Sequence, residues 1–117
     1  VTTAVWILSL LLVAEFVPAP VNLWTGRNLP LFQRFTGFAP GIATRVFAPV
    51  ELLGAVLVAV GPTVPAAGLA GAAVLSAGCA VYLVRLAVPG RRDASGIFAF
   101  LLFGAWAVAL LVLQLLR

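Results

Sequence analysis

The sequence predicts an all-α polytopic membrane protein, a four-transmembrane-helix bundle with a short interfacial helix between spans 1 and 2. Three observations lead there. Hydrophobic residues make up 64% of the 117 residues and charged ones only 9%, against about 45–50% and about 25% in soluble domains. Such a chain cannot keep a globular surface wetted, whereas lipid asks only for apolar outward faces and internally paired backbone, which helices supply. The apolar residues gather into four stretches near the roughly 17–25 residues that cross a hydrocarbon core, and most charges lie in the connections between them. Spans are expected at about 3–21, 46–61, 64–88 and 95–116, forming a single transmembrane domain over 1–117.

The first stretch starts at Val1 without a basic lead-in, and Pro18, Ala19 and Pro20 make a poor peptidase site. An uncleaved transmembrane helix is expected. The longest connection follows, and its "NLPLFQRFTGF" is patterned as a short helix. Asn28 suits the cap, Pro30 the first turn, and Phe32, Phe35 and Phe38 recur every three residues. The phenylalanines are expected to enter lipid or bundle, with Gln33 and Arg34 in water and Trp24 at headgroup level.

The second stretch, "RVFAPVELLGAVLVAVG", contains Pro49, which has no N–H for the Arg45 carbonyl and is expected to begin or bend the helix. In the third, Gly68, Ala72, Ser76 and Ala80 fall at successive i+4 positions, a groove of small side chains suited to helix packing. Gly54 in the second and Gly104 in the fourth are further candidates for close backbone approach. Asp93 or Ser95 is suited to cap the fourth helix.

Seven arginines and three acidic residues, without lysine or histidine, give a net charge of +4. The arginines are dispersed over short connections, which fits lipid headgroups and topology control rather than a nucleic-acid surface. Six of them (Arg27, Arg34, Arg45, Arg85, Arg91 and Arg92) fall on one side, against Arg117 on the other. The positive-inside rule then places the arginine-rich connections in the cytoplasm and both termini outside a plasma (inner) membrane.

Without histidine there is no ordinary hydrolytic triad and no phosphate-cradling glycine loop, and two intramembrane carboxylates make a thin metal site. No catalytic residue and no metal site is expected. Cys79 has no disulfide partner and reads as a small core residue.

Glu15 and Glu51 are the carboxylates set inside spans. Each is expected about six residues, or about 9 Å, from its span end on the side of the long connection, and Arg85 is expected about four residues before the end of the third span, on that same side. A lone carboxylate in lipid is costly, so Glu15, Glu51, Arg85 and Tyr82 are expected as an inward-facing polar cluster, with Arg45 the nearest second arginine. Two readings stand. The cluster is a buried ion pair fixing helix register, or a polar pocket holding a lipid headgroup, a quinone or a partner's polar group, with Tyr82, Cys79 and Ser76 forming part of its wall.

The succession of "FAPVELLGAVLVAVG" and "AAGLAGAAVLSAGCAVYLVRL" after an aromatic-rich connection resembles the DoxX-like family of small four-helix membrane proteins, over nearly the whole chain. The "ELLGA" core carries the resemblance most strongly, and Glu51 and Gly54 are the positions that carry over. The resemblance implies an accessory or scaffold subunit that works with another membrane protein or as a homo-oligomer. It also implies, as the alternative, a membrane subunit of a quinone-linked oxidoreductase handling thiol or sulfur redox chemistry. Beyond a possible quinone or lipid, no cofactor is implied. Family termini are usually cytoplasmic, opposite to the arginine count.

Overall fold

The computed structural model describes residues 2–88 and 92–116. They form five helices: α1 (Thr2–Trp24), α2 (Leu29–Thr36), α3 (Pro40–Val60), α4 (Pro65–Leu86) and α5 (Ala94–Leu116). α1, α3, α4 and α5 are 21–23 residues long with mean hydropathy of 1.8 to 2.5, which at 1.5 Å per residue matches a hydrocarbon core of about 30 Å. Leu10, Leu53, Val84 and Phe98 are more than half exposed, as lipid-facing side chains should be. The protein is a four-span membrane bundle, with α2 lying outside the spans as the sequence led one to expect.

Two spans are longer than their sequence suggested. α1 runs past Val21 to Trp24, because Pro18 and Pro20 stand in the first turn of a segment, Pro18–Trp24, that continues the helix after Val17. Val17 still donates to the Val13 carbonyl at 3.0 Å, so the prolines remove single bonds without stopping the chain. α3 starts at Pro40 rather than Val46, and Pro49 neither begins nor ends it. Between Ala43 and Phe47 the helix widens to a π turn, with the Ala48 N–H given to Ala43. That shift leaves the Thr44 carbonyl without the Ala48 N–H, and Pro49 has none to offer. The Trp24 indole fills the gap, donating to Thr44 O at 2.9 Å.

Buried residues on α4 are Gly68, Gly71, Ala72, Leu75, Cys79, Tyr82 and Leu86, which from Ala72 onward alternate steps of three and four. The expected stripe therefore holds only at its start. Gly68 and Ala72 are buried, Ser76 is half-buried and Ala80 is exposed, since each i+4 step rotates about 40° past a full turn at 3.6 residues per turn. Gly71, which the stripe missed, makes a close backbone contact between α3 and α4: a Cβ there would stand 2.7 Å from Val58 N and 2.8 Å from Gly54 O. Gly54 is close too, with a Cβ falling 2.8 Å from the Leu75 side chain. Gly104 is not. Its Cβ would meet Cys79 at an ordinary 3.4 Å. The core between the spans is built on Val5, Leu12, Phe16, Val58, Leu75 and Leu110.

α2 buries Phe32, Phe35 and Thr36 and exposes Gln33 and Arg34. It stops at Gly37, whose φ of 71° is left-handed, and Phe38 lies beyond its end. Asn28 occupies the cap position without a side-chain cap bond. Arg34 pairs with Asp93 at 2.8 Å, tying α2 to the start of α5. Asp93, not Ser95, caps that helix, accepting from Gly96 N at 2.9 Å and from Ser95 Oγ at 2.6 Å. These two bonds and the Arg34 guanidinium hold the Asp93 carboxyl below its ordinary range.

Candidate functional site

The longer α3 moves Glu51 well inside the bundle. From Pro40 to Glu51 is eleven residues, about 16 Å at 1.5 Å per residue, so the side chain sits at mid-span rather than in a shallow layer. It is 7% exposed. Tyr82 on α4 donates from its hydroxyl to Glu51 Oε1 at 2.9 Å. Aromatic neighbours fix the tyrosine: Phe100 of α5 stacks face to face at 4.2 Å, with Phe47 and Phe32 edge-on at 5.4 and 6.1 Å. The other carboxyl oxygen, Oε2, is buried and has no hydrogen-bond partner among the described residues.

Arg85 does not supply one. It stands one residue from the end of α4, where its Nε donates to the Thr36 carbonyl at 2.7 Å and its guanidinium lies 4.6 Å over the Phe38 ring. The end of α2 leaves carbonyls free, and a guanidinium satisfies them there without being buried in the bundle. Arg45 is exposed. The expected layer of Glu15, Glu51 and Arg85 is thus replaced by a Glu51–Tyr82 pair and a separate Arg85–Thr36 clasp.

Glu51 faces two cavities. One, of about 500 Å³, runs between α3 and α4 and is almost wholly apolar, with Phe38, Val46, Val50, Val74 and Gly78 among its walls. The other, of about 360 Å³, lies under α2 between α1 and α5. Glu15, Asn28, Tyr82 and Ser95 bring polar atoms to it, and Phe32, Phe35 and Phe100 give it aromatic walls. Glu15 and Glu51 therefore share a cavity, although Glu15 is exposed. Of the three α4 residues proposed as wall, Tyr82 alone contributes. Cys79 is packed into the core, and the Ser76 hydroxyl is buried without a partner among the described residues and away from either cavity. Of the interfacial residues, Phe32 and Phe35 roof the second cavity, while Arg34 turns out to Asp93 and Trp24 to Thr44.

Sequence reasoning missed Phe100 and Phe47, for which a phenylalanine-rich apolar chain gives no local signal. It also missed Gln114, a polar residue in an apolar span that was a readable signal. Gln114 is buried and donates to Gly61 O at 3.3 Å, directly above Gly68.

Chemically, Oε2 can accept a hydrogen bond when ionised and donate one when protonated. A buried polar atom without a partner costs about 1–3 kcal/mol, and one that opens on a cavity regains this from whatever polar group enters. Among the described residues no cluster of three metal-ligating side chains exists. The fold and site together define a small polytopic helical membrane protein with a carboxyl group at the meeting point of two intramembrane cavities. No family model, curated protein or solved structure matches the chain.

Proposed function

We propose that the chain is a DoxX-like accessory or scaffold subunit of a membrane assembly, without a catalytic site of its own, whose Glu51 cavity holds the polar end of a lipid, a quinone or a partner. One observation carries this reading: Glu51, 7% exposed at mid-span, lines two preformed cavities and has a buried carboxyl oxygen without a partner among the described residues. Intramembrane ionisable groups are costly enough to mark ligand or partner sites by default. The lipid-facing sides of the spans leave room for a neighbouring membrane protein or a second copy.

Arg27, Arg34, Arg45, Arg85 and Arg92 lie on the side that holds α2, and the rule of positive loops places that side in the cytoplasm of a plasma (inner) membrane, with the termini outside. Arg91 and Arg117, also in that count, lie outside the described residues.

The test is detergent-free extraction from native membranes, followed by mass spectrometry of wild type and Glu51→Leu. A bound neighbour or hydrophobic ligand is expected with wild type, and loss of the ligand from a variant that keeps its helicity. A wild-type protein that emerges alone and empty contradicts the proposal. A second reading, a quinone-linked oxidoreductase subunit, draws on the flat Tyr82–Phe100 stack, 6° between planes, beside Glu51. It requires quinone in that extract, and quinone reduction by the assembly must fall in Glu51→Gln.

A further inference from the structure

The cavity beneath α2 has a composition that selects among polar ligands. Its walls hold two carboxyl groups, Glu15 and Glu51, and none of the described arginines. Those arginines on this side of the bundle are placed elsewhere: Arg34 pairs with Asp93, Arg85 with Thr36 and Phe38, and Arg27, Arg45 and Arg92 are exposed. The rest of the lining is dominated by aromatic rings, among them Phe32, Phe35, Tyr82 and Phe100. Tyr82 already donates its hydroxyl to Oε1, and Oε2 is the Glu51 oxygen without a partner among the described residues.

Carboxylates without cationic neighbours, surrounded by the negative faces of aromatic rings, attract a positive charge and repel a phosphate or sulfate. A quinone carbonyl would engage one carboxyl group and gain nothing from the second. We infer that the cavity binds an organic cation, an ammonium group carried on an apolar body, with Glu51 Oε2 and Glu15 as its counter-charges and the rings as its walls. This rests on the reading that the cavity holds the polar end of a ligand, and it names that end. Glu51, being buried, sits at the closed end, and the exposed Glu15 stands toward the opening. The ammonium group can come from a free hydrophobic amine or from a phosphatidylethanolamine headgroup.

The test uses protein purified in dodecyl maltoside, whose headgroup carries neither charge nor ammonium. Calorimetric titration with benzyltrimethylammonium is expected to show saturable binding. Affinity should fall roughly tenfold or more in Glu51→Gln and severalfold in Glu15→Gln, as removal of a desolvated and of a more solvated counter-charge implies. Glu15 is exposed, so its variant keeps the fold and keeps the test valid if Glu51→Gln does not. The neutral isostere neopentylbenzene and a short-chain quinone serve as controls. If either control binds in a Glu51-dependent way and the cation does not, the inference is overturned while the ligand cavity stands. If none binds and the native extract is empty, both fail. Competition by added phosphatidylethanolamine assigns the ammonium group to lipid, and its absence assigns it to a free amine.

Discussion

Replacing Gly71 by alanine probes the contact that holds α3 against α4. The added Cβ would lie 2.7 Å from Val58 N, 2.8 Å from Gly54 O and 2.9 Å from the Leu57 Cβ. Two of those three atoms are backbone in mid-helix, so relief requires the helices to separate rather than a side chain to swing. Overpacking of this kind costs about 1–3 kcal/mol. Gly78, seven residues on along α4, has nothing within 4 Å of its Cβ position, so Gly78→Ala isolates the intrinsic preference for alanine, up to about 1 kcal/mol in its favour. That preference enters both variants and cancels, so they are expected to differ by the overpacking cost, roughly 1–3 kcal/mol. Unfolding in mixed micelles of rising dodecyl sulfate content, followed by circular dichroism, reads that difference. Equal midpoints for Gly71→Ala and Gly78→Ala would show that α3 and α4 are not packed backbone to backbone, and would remove the frame that sets Glu51 opposite Tyr82.

Other consequences are as direct. Tyr82→Phe keeps the stack on Phe100 but strips Glu51 Oε1 of its donor, and should lower stability by about 1–2 kcal/mol in the same micelle assay. Gly96→Ala would push a Cβ to within 2.8 Å of the Phe35 ring; spin labels on Gln33 and Arg92 should report α2 lifted from the bundle. The same label pair should respond to acid. The Asp93 carboxyl is held below its ordinary 3.8 by Ser95 and Gly96 and then by Arg34, so the tie is at full strength above pH 3.8 and is lost as pH falls through the lowered value. Asp93→Asn should show the loosened distance already at neutral pH, and an unchanged distance in both conditions would remove Asp93 as the tie.

Four spans and an interfacial helix were legible because hydropathy and the three-residue phenylalanine spacing act locally. Their ends were not. Pro49 reads as the start or bend of a helix by the rules of soluble helices, yet in lipid a helix that stops leaves polar backbone unpaired, so the chain continues through it with a π turn and an indole bonded to the freed carbonyl. Misplaced ends propagated into the site. Counting Glu51 from Val46 put it level with Arg85, and counting it from Pro40 does not. The Glu51–Tyr82 bond joins residues 31 apart and depends on how α3 packs on α4, which no spacing in either helix records. Arg85 was expected to serve the two glutamates, but its guanidinium is taken up by the Thr36 carbonyl at the end of α2.

The cavity at Glu51 is tested most directly by a density map of the protein in native lipid. Non-protein density within hydrogen-bond distance of Glu51 Oε2, about 2.6–3.2 Å, with Tyr82 on the opposite oxygen, is the expected result. A collapsed cavity with the Arg85 guanidinium turned inward onto Glu51 would contradict it, and would return the carboxylate to the role of a buried ion pair that fixes helix register.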